Sequence, residues 1–162
     1  MSTLAPTGTG MASFAAIASA LDPLLSALLA CPPTTRESWS RLPESRGIYL
    51  FESDGVAHYV GRTNRIRRRI YYHTRPGALH NQATFAFLIA RREAEARGLS
   101  LSLTRNALQA HDQFSILFRE AKERLAGMRV RYVEVPDSNT QAVFEVYAAV
   151  VLGTAHNNFD NH

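Results

Sequence analysis

The chain has 162 residues, one cysteine and a net charge of +4 at pH 7. This length suits one compact domain with its own core, and a lone Cys31 excludes an internal disulfide and a cysteine-based zinc cage. Because no uninterrupted apolar run reaches the roughly 18 to 20 residues that cross a bilayer, a membrane-spanning helix is excluded.

The N-terminal segment is rich in Ala, Ser and Leu and has no Lys or Arg before Arg36. A secretory signal needs a positive start and an uninterrupted apolar stretch. Asp22-Pro23 interrupts this one, so we predict a cytoplasmic protein. Residues 1–10 are predicted to be a flexible tail, and residues 12–30 a helix with Asp22 as an N-cap and Pro23 starting its second half.

A β-hairpin is predicted next. Residues 47–53, GIYLFES, are β-branched and aromatic and end at Asp54-Gly55, which is a strong hairpin signal. The segment VAHYVGR follows as the second strand. Tyr49 and Tyr59 therefore lie on adjacent antiparallel strands, where they could pack together as core residues or face a site.

The segment NRIRRRIYYH predicts a helix that starts near Asn64. Ile66 and Ile70 lie one turn apart and mark its buried stripe. Arg69 and His73 have the same spacing and flank that stripe, so both are expected to be half shielded. Arg68, in contrast, points to the opposite side as a surface charge.

Residues 55–92 contain eight arginines and no Asp or Glu. A solvated helix face normally mixes both signs, whereas this stretch would attract a polyanion. The guanidinium group also suits bidentate phosphate contacts. The arginines predicted to contact DNA are Arg62, Arg65, Arg68 and Arg75.

The remaining chain predicts helices over 84–97 and 104–126, a strand over 128–135, and a last helix over 140–152 that ends at Gly153. With the hairpin this order is β, β, α, α, α, β, α. It implies a small mixed α/β (α+β) domain, in which a mainly antiparallel three-stranded sheet is flanked by helices, plus the N-terminal helix.

Glu145 is the one charged residue among the apolar residues of the last helix. A carboxylate in apolar surroundings costs several kcal/mol unless it is paired or binds a cation. Two partners are open: an arginine in a salt bridge, or a Mg²⁺ or Mn²⁺ ion, since both metals prefer oxygen ligands.

Gly47-Ile48-Tyr49 followed by Tyr59-Val60-Gly61 resembles the paired signature of the GIY-YIG nucleases, with valine for isoleucine in the second triplet. The spacing extends the resemblance, because further residues follow in the order of the family's catalytic set: Arg69, His73, Glu145 and Asn157. The ending also resembles a Gly-Thr-x-x-Asn tail found in part of the family. Asn158, next to Asn157, stays an alternative.

The resemblance implies a DNA endonuclease that uses one Mg²⁺ or Mn²⁺ ion. It covers residues 46–162 and leaves residues 1–45 as a tail and helical extension. The chain is longer than the minimal family core between His73 and Glu145, so residues 83–126 are interpreted as a helical insertion that could shape substrate choice.

Roles follow from the chemistry of phosphodiester hydrolysis once this catalytic set is granted. Tyr49 activates or orients the water, with its pKa lowered by Arg69, the metal or relay through His73. Tyr59 hydrogen-bonds the water or the phosphate, and Arg69 clamps the phosphate with support from Arg62. His73 is expected to be a proton shuttle with a pKa close to neutrality. The metal ligand is Glu145, and Asn157 orients the site.

Two other classes of function stay open. A non-catalytic nucleic-acid-binding module would use the basic helix over 62–75 without cutting. A small interaction protein would use the apolar helix over 12–30 to bind a partner or to form a homodimer.

Overall fold

The computed structural model describes residues 13–159, so the tail predicted for residues 1–10 lies outside the described residues. The elements in chain order are α1 (Phe14–Ala30), a short 3-10 helix (Arg36–Arg41), β1 (Gly47–Ser53), β2 (Val56–Thr63), α2 (Ile66–Thr74), α3 (Thr84–Ala96), α4 (Arg105–Ala110), α5 (Asp112–Ala126), β3 (Arg129–Glu134) and α6 (Ser138–Leu152). Among these described helices, none combines the length and the apolar character needed to cross a membrane.

The sheet has three antiparallel strands in the order β2-β1-β3, with β1 in the middle. At the β1–β2 turn, Asp54 and Gly55 both have positive φ angles, 52° and 75°. Two consecutive residues of this conformation form the turn whose twist matches a two-residue hairpin. The predicted hairpin and the predicted three-stranded antiparallel sheet are therefore confirmed.

Helices cover both faces of this sheet. Alternate residues of a strand point to opposite faces, so Tyr49 and Phe51 pack with α2, α3 and α5, whereas Ile48 and Leu50 pack with α1 and α6. The predicted architecture of a small sheet flanked by helices is thus confirmed. It also places both phenols of the candidate site on the α2 and α3 side.

The helix α1 runs continuously through Asp22 and Pro23, so the prediction that Asp22 is an N-cap is wrong. Ser13 caps its N-terminus and Pro23 lies inside it. An interior proline costs about 3 kcal/mol because it removes a backbone hydrogen bond. Burial of Leu28 against the sheet and α6 offsets that cost, and Asp22 accepts a hydrogen bond from Tyr147 of α6 instead of capping a helix.

Two further helix boundaries differ from the predictions. The helix expected over 104–126 is two helices, α4 and α5, because His111 between them has an extended backbone with φ −71° and ψ 130°. Helix α2 begins at Ile66 instead of Asn64, because Arg65 is extended at φ −149° and ψ 94°. Both breaks depend on single backbone conformations that an apolar pattern does not reveal.

The region interpreted as an insertion, residues 83–126, forms α3, α4 and α5, and α3 and α5 both pack against α2. Helix α6 is capped by Asp137 and ends at Gly153 as predicted, with φ 62° in the left-handed conformation common after a helix. The division into residues 1–45 and 46–162 stays a prediction, as does pairing of two copies through α1.

Candidate active site

Tyr49 and Tyr59 lie on the same face of the hairpin, with ring centroids 6.3 Å apart. In the strand register Tyr49 pairs with Gly61, not with Tyr59, so the two phenols are diagonal neighbours. A Cβ atom at Gly61 would lie 2.3 Å from the Tyr49 hydroxyl oxygen. The ring of Tyr49 therefore fills the space that any side chain at this position would need.

His73 of α2 is completely buried behind Tyr49. Its Nε2 lies 2.7 Å from the Tyr49 hydroxyl oxygen, whereas its buried Nδ1 has no hydrogen-bond partner among the described residues. Burial, reinforced by the positive charge of Arg69, lowers the pKa of His73 well below 6.5. The expectation of a half-shielded imidazole with a near-neutral pKa is wrong, since His73 is a neutral partner of Tyr49.

Arg69 connects the phenols to α3. Its Nε donates to the Tyr49 hydroxyl at 3.4 Å, its Nη1 to the carbonyl of Asn81 at 3.3 Å, and its Nη2 to Oγ1 of Thr84 at 3.3 Å. Burial disfavours the charged guanidinium, but interactions with Tyr49, Tyr59 and Glu145 outweigh it and raise the pKa of Arg69. Arg69 is therefore a fixed cation at the site.

Burial also controls the pKa of both phenols. It raises the pKa of Tyr49 above 10 and that of Tyr59 well above 10, while Arg69 acts in the lowering direction with a smaller effect. Phe85 of α3 stacks on Tyr59 at 4.6 Å with an interplanar angle of 10°. The lowering of the Tyr49 pKa expected from Arg69 is thus outweighed, and both side chains are neutral phenols at neutral pH.

Glu145 extends from α6 toward these residues. Its Oε1 accepts a hydrogen bond from the backbone N–H of Arg62 at 3.1 Å, and its Oε2 lies 3.1 Å from Nε of the same arginine. Burial raises the pKa of Glu145 against the opposing effects of Arg62 and Arg69. Of the two partners considered for this carboxylate, the arginine is therefore present.

A divalent ion remains compatible with Glu145. Between residues 13 and 159, no group of three or more His, Cys, Asp and Glu side chains could hold a metal. Mg²⁺, however, commonly keeps several waters and takes further oxygens from substrate phosphates, so one or two carboxylates suffice. Each oxygen of Glu145 keeps a lone pair beyond its one contact with Arg62. The donor set fits an ion held mainly by water and phosphate.

Asn157 ties the C-terminal segment to the outer edge of β2. Its Oδ1 accepts from the backbone N–H of Val60 at 2.9 Å and from Oγ1 of Thr154 at 2.8 Å, and its Nδ2 donates to the Val60 carbonyl at 2.7 Å. The amide thereby replaces a neighbouring strand at the residue between Tyr59 and Gly61. The orienting role predicted for Asn157 stays a prediction.

Most of the predicted residues line a pocket of about 880 Å³, which is called the cleft. Its lining includes Tyr49, Tyr59, Arg62, Arg69, Glu145 and Asn157, together with Thr84, Leu88, Arg91, Arg92, Glu95, Leu101 and Arg105. His73 lies behind this lining. The sequence-predicted set therefore converges from β1, β2, α2, α6 and the C-terminal segment.

The arginines predicted to contact DNA distribute differently. Of the four arginines predicted to contact DNA, Arg62 alone lines the cleft, where it pairs with Glu145. Arg65 and Arg75 are exposed at the two ends of α2, and Arg68 contacts Tyr72 of the same helix, with its Nε 3.0 Å from the Tyr72 hydroxyl oxygen. DNA contact by these arginines stays a prediction.

Sequence reasoning missed the residues that α3 and α4 bring to the cleft, namely Thr84, Arg91, Arg92 and Arg105. Arg91 and Arg92 belong to the acid-free stretch, and Thr84 lies seven residues before Arg91 on one helical face. That spacing was a usable signal. Which way the face points depends on how α3 packs, which the pattern alone does not decide.

Comparison with known proteins gives two similarities. No protein-family model matches the chain. The chain is 29% identical over 86 residues to the UvrABC system protein C of Deinococcus radiodurans, an overlap that covers 50% of this chain and 14% of the relative.

Among solved structures, two point mutants of the GIY-YIG N-terminal endonuclease domain of UvrC from Thermotoga maritima, each described as bound to a catalytic divalent cation, are similar to this chain. Their sequence identities are 15% and 14%, the TM-score is 0.37 for both, and the coverage is 76% of this chain and 93% of theirs.

The two triplets and the convergence of most motif residues on one cleft agree with the resemblance to the GIY-YIG nucleases. The resemblance predicted from the two triplets is confirmed by the sequence similarity to the UvrABC system protein C.

Proposed function

We propose that this chain is a divalent-metal-dependent endonuclease that hydrolyses phosphodiester bonds of DNA. The observation that carries the proposal is the convergence of Tyr49, Arg69 and Glu145, which lie on three different elements, on one cleft. A phenol, a fixed cation and a half-buried carboxylate are what water positioning, phosphate binding and metal binding need. The similarity to UvrC over half of the chain agrees with this function.

Tyr49 orients the attacking water in this proposal. A buried N–H without an acceptor is less tolerable than an unused lone pair, so the unpartnered Nδ1 of His73 favours the neutral tautomer that carries its proton on Nε2. His73 and Arg69 then both donate to the Tyr49 oxygen. These two donors occupy both lone pairs of the Tyr49 oxygen, so its hydroxyl proton is left to be donated to a water molecule in the cleft.

His73 is a positioning residue in this scheme, because it touches Tyr49 from behind the cleft lining. A proton-shuttle role would need an imidazole that gains a proton near neutral pH, and burial disfavours that. Tyr59, stacked on Phe85, offers its hydroxyl to the water or to the scissile phosphate.

Arg69 binds the scissile phosphate and offsets its charge, because its guanidinium is held by Tyr49 and Thr84 at the lining of the cleft. Glu145 would hold one Mg²⁺ or Mn²⁺ ion, which when bound supplies Lewis-acid stabilisation of the leaving oxygen. Asn157 keeps the outer edge of β2 in place beside both tyrosines.

A non-catalytic nucleic-acid-binding module is the second candidate. The ion pair between Glu145 and Arg62 favours it, since that pair satisfies the carboxylate without a metal. The same pair would then serve only to hold α6 against β2.

A cleavage assay on supercoiled plasmid with Mg²⁺ or Mn²⁺ tests the two candidates. Glu145→Gln keeps the shape and the hydrogen bond from Arg62 but removes the charge that binds a metal. Glu120→Gln on the exposed face of α5 makes the same change away from the cleft. We expect nicking by the parent and Glu120→Gln chains and a loss of at least about 100-fold in Glu145→Gln. A parent chain that binds plasmid and leaves it intact with both metals identifies the binding module.

A further inference from the structure

One wall of the cleft is built by α3 and the chain that follows it. Along α3 the lining residues are Thr84, Leu88, Arg91, Arg92 and Glu95. These positions recur every three to four residues and therefore form one continuous face of the helix. Arg105, at the start of α4, extends the same wall.

The cleft contains more arginines than are needed to pair with Glu145 and to bind the scissile phosphate. Five arginines and two glutamates line it. Arg62 is paired with Glu145, and Arg69 is bound to Tyr49. Among the described residues, neither Arg91 nor Arg105 lies within ion-pair distance of an acidic side chain. The α3 side of the cleft therefore carries a net positive charge, because three arginines on this wall face one glutamate, Glu95.

The arginines of this wall are held in place. Arg105 lies over the ring of Phe87 with 4.9 Å between the guanidinium carbon and the ring centroid. Arg92 donates a hydrogen bond to the carbonyl of Ala155 in the C-terminal segment, and Arg91 is half-buried. Side chains that are already ordered lose less entropy when they bind a ligand.

Distance along α3 separates these arginines from the scissile position. Thr84 accepts a hydrogen bond from Arg69, and Arg91 follows seven residues later. At about 1.5 Å per residue this places Arg91 roughly 10 Å further along the helix axis, so Arg91 and Arg69 contact different phosphates of a bound strand. The volume of the cleft, about 880 Å³, also exceeds that of a single phosphate group.

We propose that Arg91, Arg92 and Arg105 form a second phosphate site, which binds the DNA backbone at a phosphate other than the scissile one. The inference rests on the proposed endonuclease function, because it takes Arg69 as the site of the scissile phosphate. It gives the helices at residues 83–126 a direct part in holding the substrate. The occupant is a polyanionic strand, since a lone mononucleotide would not reach from Arg69 to Arg91.

The experiment separates binding from cleavage. Affinity for a fluorescent 20-base-pair DNA duplex is measured by anisotropy in EDTA at several salt concentrations, and cleavage kinetics are measured in Mg²⁺. The test variants are Arg91→Gln and the double variant Arg91→Gln/Arg105→Gln. Arg119→Gln is the matched control, because Arg119 is an exposed arginine of α5 outside the cleft.

We expect each cleft arginine removed to reduce the slope of log K against log salt by about 0.9, so the double variant loses about 1.8. Its affinity falls roughly tenfold, KM rises by a similar factor, and kcat changes little. Glu95→Gln, which removes a negative charge from the same wall, tightens binding, whereas Glu120→Gln does not.

The outcomes for the two proposals are distinct. If the slope and affinity of the double variant equal those of Arg119→Gln, the second phosphate site is refuted, even when the parent chain cuts DNA. If the slope falls as expected and the parent chain never cuts, the phosphate site is supported and the endonuclease function fails. A drop in kcat with unchanged KM and slope also overturns the site, because it would show a purely structural effect.

Discussion

Gly61→Ala tests whether the position of Tyr49 controls activity. The added Cβ would lie 2.3 Å from the Tyr49 hydroxyl oxygen and 2.4 Å from Cζ, whereas carbon contacts are favourable at about 3.5–4.0 Å. The ring must therefore move by about 1 Å. It cannot do so freely, because it packs on Phe51 at 5.9 Å and on His73 at 5.5 Å between ring centroids.

The expected costs follow from that displacement. Overpacking a core costs about 1–3 kcal/mol, and separating Tyr49 from the buried Nε2 of His73 costs about 1–3 kcal/mol more. A misplacement of about 1 Å at a reacting group lowers the rate by about 100-fold. We therefore expect Gly61→Ala to be destabilised by about 2–6 kcal/mol and about 100-fold slower in plasmid nicking.

Urea unfolding and plasmid nicking measure these two effects, and Gly77→Ala is the matched control. An added Cβ at Gly77 meets no atom within 4 Å and no positive φ is required there. The reasoning is refuted if Gly61→Ala matches Gly77→Ala in both unfolding midpoint and nicking rate, because Tyr49 would then tolerate a displaced ring.

Thr84→Val removes the acceptor of the Arg69 Nη2 hydrogen bond without changing side-chain shape. A hydrogen bond to a charged group contributes about 1.5–3 kcal/mol, so kcat should fall about 10- to 100-fold while KM changes little. An unchanged kcat would show that Arg69 does not depend on the hydrogen bond to α3. The unfolding free energy should decrease as pH falls below about 6.5. Burial depresses the pKa of His73 in the folded state and lowers that of His156 to about 4. The unfolded chain therefore binds more protons than the folded chain in that pH window. Urea midpoints at pH 7.5 and pH 5 measure this decrease, and equal midpoints would contradict a buried, neutral His73. Asn157→Ala leaves the amide and carbonyl of Val60 without partners, so hydrogen exchange at β2 should become faster and nicking should become slower. Asn64→Ala, at an exposed loop position, is the control and should change neither. Identical hydrogen exchange in the two variants would exclude a role of Asn157 in holding the edge of β2.

The sequence alone was sufficient to locate the hairpin and to single out Glu145, whereas the other candidate catalytic residues were implied by the resemblance to the GIY-YIG nucleases. Asp54-Gly55 specifies a turn through local backbone conformation, and the alternation in GIYLFES specifies which residues share a face. Glu145 stood out for a related reason, because a single carboxylate in an apolar helix needs a partner wherever that helix packs. These inferences depend on local geometry and on solvation, which a short stretch of chain already contains.

Tertiary structure decided the burial of each group and its partners. Neither the complete burial of His73 nor the pairing of Glu145 with Arg62 follows from spacing, since each depends on an element distant in the chain. Burial then set both pKa directions: it lowers the pKa of His73 together with the charge of Arg69, and it raises the pKa of Tyr49 against the effect of Arg69. The desolvation of an ionisable group depends on all the atoms that pack around it. The sequence therefore indicates which chemical groups are present, whereas the packing of α2, α3 and α6 determines their protonation states and contacts.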